Sequence, residues 1–293
     1  MITLRHMAKI VAIAMMGICA IANAQSWPDD SAVASTSAEP VSLRLTPAST
    51  SVSSFSVEVQ SRMSVQMLLV PRTTLMGLLT ISGDCTIAPK DGKMSVQEFT
   101  AHVASMAYYS PGAPNREIPR EKVSQTLLVS GLPVPDFPVR LTVNETGMIV
   151  RADGMPASYT KFYEVSLLHY PPGPVHVGES WTSSQTIPVC PDPDSDVVVC
   201  HAVATFSLLA ADRAADSASI GFTTTLVNRE AVITGAAKID GTAEGKIDIR
   251  LSDGFPLRSE NVSRTRLDFG GGNLIDMEQR ITNSFAIPLL PAN

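Results

Sequence analysis

The chain has 293 residues, of which 44% are hydrophobic and only 5% aromatic, and it carries 22 Lys and Arg against 28 Asp and Glu. That acidic balance argues against nucleic acid or anionic lipid surfaces as partners. The length suits one large β domain or two abutting sheets.

Met1 to Ala24 reads as a secretory signal peptide: Arg5 and Lys9 form a basic start, Ile10 to Ile21 an apolar run, and Ala22-Asn23-Ala24 a small-residue cleavage site. The apolar run is shorter than the roughly 20 residues that a span requires, so no stable membrane insertion is expected. Cys19 follows Met16-Gly17-Ile18, unlike the sequence before a lipidated cysteine. The expected location is the periplasm or the exterior of a bacterial cell. Removing Arg5 and Lys9 leaves 20 basic against 28 acidic residues, a net charge of −8. Residues 25–40, rich in Ser, Ala, Pro and Asp, read as a disordered leader. Residues 41–293 form the β-rich domain, with halves at 41–155 and 175–293.

Val52 to Val70 alternates as a long strand, with Phe55, Val57, Val59, Met63, Val65, Met67 and Leu69 on one side and polar residues on the other. Leu75 to Ile81 is apolar on both faces, as in a strand covered twice or one wall of an apolar cavity. Methionines can repack around varied shapes. Phe55, Val57, Met63, Val65, Met67, Met76 and Leu78 are therefore the candidate lining of a ligand cleft. A packed core would give the same pattern.

Lys90-Asp91-Gly92-Lys93 predicts a turn, and Met94 to Tyr109 the returning strand, with a helix as the alternative. Glu121 to Ser130 suits a short helix, and Val139 to Val150 a hairpin turned at Glu145-Thr146-Gly147. Ser158 to Leu168 fits a helix capped by Ser158 and ended by Pro171-Pro172. Val175 to Thr182, Val197 to Ala210 and Ala218 to Val227 read as strands.

The last part, Gly241 to Phe285, reads as a three-stranded meander. Ile247, Ile249, Leu251, Leu257, Leu267, Phe269, Ile275, Met277, Ile281 and Phe285 share one face, and charged residues the other. Three-residue loops at Ser252-Asp253-Gly254 and Gly270-Gly271-Gly272 fix the register. They set Lys246 opposite Glu260, Asp248 opposite Arg258, Ile249 opposite Leu257, Arg264 opposite Glu278, Arg266 opposite Asp276 and Leu267 opposite Ile275. Such charge pairs are worth about 0.2–1 kcal/mol each and penalise slipped registers. The charged side is expected to be a solvated outer face.

Three stretches carry a family likeness. They are the hairpin from Phe137 to Val150, Pro174-Val175-His176-Val177-Gly178-Glu179-Ser180-Trp181, and Gly241-Thr242-Ala243-Glu244-Gly245 with Asp253-Gly254-Phe255-Pro256. Together they resemble a bacterial family of exported β-rich proteins of unknown function, in which a Gly-Asp-Ser-Trp type turn follows a helix and a proline. Glu179 stands here in place of that Asp. The resemblance implies long curved antiparallel strands, loosely similar to the open half-barrels of periplasmic lipoprotein carriers. It brings no activity and no functional residue.

Chemical motifs are sparse. Cys190 and Cys200 flank the stretch Pro191-Asp192-Pro193-Asp194-Ser195-Asp196 and are expected to form a disulfide in an oxidising compartment, leaving Cys85 unpaired. Asp192, Asp194 and Asp196 start like a calcium loop, but Val197 and Val203 replace its glycine and glutamate. Ser158-Tyr159-Thr160-Lys161 matches Ser-x-x-Lys, but no Lys-Thr-Gly follows. His102, His169, His176 and His201 are scattered, with no zinc or nucleophile-elbow motif. No catalytic residue, metal or cofactor is assigned, and protein partners are not legible.

These readings converge on an all-β protein with minor α content, built as a long curved antiparallel sheet, an open half-barrel or two related sheets. The leading function is non-catalytic binding of an apolar small molecule or lipid in the concavity. A cell-envelope scaffold or protein-interaction module is the alternative, and a hydrolase without recognisable motif the third.

Overall fold

The computed structural model describes residues 39–68, 70–110, 116–119, 121–123, 137–155, 160, 167–189, 198–228 and 238–286. They form one antiparallel sheet of twelve strands and almost no helix. The strands are β1 (Ser51–Met67), β2 (Val70–Lys90), β3 (Met94–Tyr109), β4 (Arg116–Glu117), β5 (Val139–Asn144), β6 (Ile149–Asp153), β7 (Ser180–Val189), β8 (Val198–Asp212), β9 (Ser217–Val227), β10 (Lys238–Arg250), β11 (Pro256–Asp268) and β12 (Leu274–Ala286). Their order is β6-β5-β3-β2-β1-β12-β11-β10-β9-β8-β7, with β4 beside β3. Two meanders thus grow outward from a central pair, β1 and β12, and the sheet does not close into a barrel.

The wings curl toward each other. Ile81, Ile87 and Leu141 of one wing share an apolar cluster with Phe206, Leu208, Ile220 and Ile247 of the other. Local irregularities assist the bending, because a bulge sharpens strand twist. One lies between Ser82 and Gly83, where a Cβ on Gly83 would sit 2.0 Å from the Thr100 carbonyl oxygen.

One end of the curl is closed by two crossing segments. Leu45 N–H donates to the Glu145 carbonyl (3.0 Å), and Thr46 N–H to the Asp253 carbonyl (2.8 Å), so residues 41–46 tie the β5–β6 turn to the β10–β11 turn. Val41 and Val175 exchange backbone hydrogen bonds, and Tyr170 N–H donates to the Thr146 carbonyl. Leu43, Leu45, Leu168, Tyr170, Val175 and Phe255 fill the space beneath.

The expected register of the last meander holds at five of its six pairs: Lys246 with Glu260, Asp248 with Arg258, Arg264 with Glu278, Arg266 with Asp276 and Leu267 with Ile275. Ile249 instead faces Pro256, because a bulge between Asp248 and Ile249 shifts the pairing by one residue. The outer face is also less uniformly wet than its charge suggests. Glu260 is buried and ion-paired with Arg258, while Asp248 pairs with Lys246 at 3.3 Å.

Met94–Tyr109 is a strand throughout, not a helix. Val175 to Thr182 is not one continuous strand: Val175 makes an isolated bridge, Gly178 turns the chain at φ 93°, and β7 starts at Ser180. Glu179 explains its place in that turn, since its carboxylate accepts the His176 N–H at 2.8 Å. Most of the helix expected over Ser158–Leu168 lies outside the described residues, and Leu167 and Leu168 belong to an irregular segment.

Candidate functional site

The odd-numbered side of β1 faces inward, and its residues fall into three zones. Phe55, Val57 and Val59 belong to the larger apolar cluster at the closed end. Met63 and Val65, with Met67 at the margin, belong to a second cluster with Cys200, Ala202, Ile239, Leu267 and Ile275. Between the two clusters the inner face is small or polar. A transverse row of paired positions runs Gly77, Ser61, Gln279, Ser263, Ala243, Thr224, Ala204, Ser183 across eight strands. Asn261 and Thr265 flank Ser263 on β11, opposite Gly245 and Gly241, which present no side chain.

This belt is buried yet incompletely bonded. Asn261 is 0% exposed and Ser263 1%, and neither amide atom of Asn261, nor Ser263 Oγ, nor Thr265 Oγ1, has a hydrogen-bond partner. A buried polar group left unsatisfied costs about 1–3 kcal/mol. Natural interiors rarely cluster several unless water or a ligand supplies the partners. None of these groups is charged, so the belt suits a neutral hydrogen-bonding group. At its β7 end lies a void of about 10 Å³ lined by His169, Ser183, Gln185 and Phe206, among others, which is room for about one water. His169 Nδ1 and Ser183 Oγ are hydrogen-bonded at 2.5 Å, His169 Nε2 lies 3.3 Å from Gln185 Nε2, and Gln185 Oε1 has no partner.

Among the described residues, the two ends of the curl differ. The closed end is blocked by residues 41–46 and 168–175. At the other, the second cluster is rimmed by the partly buried side chains of Met67, Leu75, Leu226 and Phe269.

Five of the seven candidate lining residues, Phe55, Val57, Met63, Val65 and Met67, therefore share the inner face. Phe55, Met63 and Val65 are buried in packed clusters rather than along an open groove. Met76 and Leu78 are a correction: they pair with Arg62 and Gln60 on the outer face, and Leu78 is 40% exposed. Because β2 is apolar on both sides there, alternation alone could not assign its faces. In this stretch the inward apolar residues of β2 are Leu75, Leu79 and Ile81.

Sequence reasoning missed the polar belt and His169. One signal was available: Ser259, Asn261, Ser263 and Thr265 are uncharged polar residues alternating with Arg258, Glu260, Val262, Arg264 and Arg266. Cys190 lies outside the described residues, so its pairing with Cys200 has no structural counterpart; Cys200 is buried with a free thiol. Burial pushes the thiols of both Cys85 and Cys200 up to about 12. Ser158 and Lys161 also lie outside the described residues. Among the described residues, no group of three or more His, Cys, Asp and Glu side chains could hold a metal ion.

No protein-family model and no curated protein matches the chain. Among solved structures, the chain is similar to lipovitellin, from a structure titled for its lipid–protein interactions, at 12% identity and a TM-score of 0.49. That similarity covers 85% of this chain but 26% of the other, so the chain spans about a quarter of lipovitellin. DynF from the dynemicin biosynthesis pathway of Micromonospora chersina is similar at 8% identity and a TM-score of 0.22, over 93% of this chain and 96% of that one. At these identities and scores, neither likeness bears on ligand or activity.

Proposed function

We propose that this chain is an exported, non-catalytic binding protein that takes a neutral amphiphile against the inner face of its sheet. The apolar part of the ligand contacts the second cluster around Met63, Met67 and Leu267, and its hydrogen-bonding head reaches Asn261, Ser263 and Thr265. The single observation behind this reading is the buried polar belt between two apolar clusters, in which Asn261, Ser263 and Thr265 have side-chain atoms without a hydrogen-bond partner. A neutral head such as a hydroxyl, ester or amide could supply the missing partners without burying a charge. Export rests on the basic-apolar-small pattern of residues 1–24.

The test is displacement of Nile red by 1-monoolein from the full chain, compared with Asn261→Leu. Leucine removes the unsatisfied amide, so the unliganded variant is expected to unfold at the same or higher urea concentration. Monoolein affinity should fall about tenfold. Unchanged affinity, or an absence of saturable binding by the wild type, would remove the reading and favour the envelope scaffold.

A further inference from the structure

The outer face holds a second concavity, independent of the inner-face reading. It is a trough of about 680 Å³ over the centre of the sheet, lined on five strands by residues including Arg62, Arg72, Arg264, Arg266, Asp276 and Glu278. Three of these arginines have carboxylate partners: Arg72 meets Asp276 at 3.1 Å, Arg264 meets Glu278 at 3.0 Å, and Arg266 lies 3.8 Å from Asp276. Arg62 is the exception. It stands opposite Glu278 in the β1–β12 register, but that carboxylate is taken by Arg264 Nε. Among the described residues, no carboxylate lies within ion-pair distance of Arg62.

On the side of Arg62 away from Glu278 the neighbouring side chains on β2 and β3 are apolar, with the exposed Glu117 of β4 beyond them opposite Ala107. Met76 is its direct cross-strand neighbour, Leu78 lies next along β2, and Ala107 and Tyr109 pair with them from β3. Leu78 is 40% exposed and Tyr109 36%. A free guanidinium at the border of a concavity and an apolar shelf can satisfy both halves of an amphipathic anion. The planar fork of arginine suits a carboxylate or phosphate, and the shelf removes an alkyl chain from water. The acidic net charge of the whole chain disfavours a broad anionic surface, while the trough itself carries four arginines against Asp240, Asp276 and Glu278.

We propose that Arg62 and the Met76–Leu78–Tyr109 shelf bind a free single-chain anionic amphiphile, with its phosphate or carboxylate head on Arg62. The probe is decyl phosphate below its micelle concentration, titrated into the full chain by calorimetry. One saturable site is expected. Arg62→Ala should weaken it at least tenfold and Leu78→Ser about threefold, while inorganic phosphate and decyltrimethylammonium should each bind at least tenfold more weakly. Asn261→Leu should leave this binding unchanged, which separates the outcome from that of the inner-face reading. Equal affinity for Arg62→Ala and wild type, or for the cationic and anionic amphiphiles, would overturn the proposal. So would Arg62-dependent binding to phosphatidylglycerol vesicles without binding of monomeric decyl phosphate, since the head would then be read on a membrane.

Discussion

Three side chains whose titration is shifted upward, Cys85, Cys200 and Tyr170, are buried in the core. Cys85 and Cys200 keep their protons to about pH 12 because burial penalises the thiolate. Tyr170 is raised further still, first by burial and then by the charge of Asp253, and its hydroxyl donates to the Gly254 carbonyl. All three folded-state values lie above the unfolded ones, so their contribution is complete below the unfolded values, near pH 9 for the thiols and 10 for Tyr170. Above those values the unfolded chain releases protons that the folded chain retains, and stability declines. Chemical denaturation of the reduced protein should therefore show stability falling between about pH 9 and 12, by roughly 1.4 kcal/mol per pH unit for each thiol. At pH 8, iodoacetamide should leave both thiols unmodified until the chain is unfolded. Stability independent of pH across that window, or rapid native-state alkylation, would contradict the burial.

At the scale of elements, alternation was a reliable guide wherever a strand has one wet face. It assigned both sides of β1, β10 and β12, because charges opposite charges and apolar residues opposite apolar residues disfavour slipped registers. It failed on β2, where Met76 and Leu78 are as apolar as Leu75 and Leu79, and on β11, where polar residues occupy both faces. The closing segments were illegible for another reason. Residues 41–46 do alternate, with Val41, Leu43 and Leu45 buried, but neither they nor residues 168–175 reveal which turns they cross, because those turns come from distant parts of the chain. Gly254 shows how tight that closure is: it has φ 75°, and a Cβ there would lie 2.1 Å from the Arg44 carbonyl oxygen. Gly254→Ala should destabilise the fold by more than about 2 kcal/mol, since both the backbone conformation and the contact resist it. Gly92, equally left-handed but with open space around its Cβ position, supplies the control. Gly92→Ala should cost distinctly less in the same urea titration. Equal losses would mean that the crossing segment does not pack as described.

Seen whole, the molecule is an open antiparallel sheet, curled so that its wings share a core, clipped at one end and rimmed with apolar side chains at the other. The Thr/Ser/Val alternation that made a long curved sheet readable also concealed what distinguishes its two surfaces. Inside, uncharged polar residues interrupt the core at one level; outside, arginines and carboxylates pair across a trough with one guanidinium left over. The proposed binding role requires that the inner face be reached from the rimmed end.

Photolabelling locates a ligand on one surface or the other. The full chain would be irradiated with a monoacylglycerol carrying a diazirine on its acyl chain, with and without excess 1-monoolein, and the modified peptides mapped by mass spectrometry. The account predicts competable labels on inner-face residues of the second cluster, such as Met63, Met67, Leu267 and Ile275. Labels confined to Met76, Leu78 and Tyr109, or labels that monoolein does not displace, would contradict it.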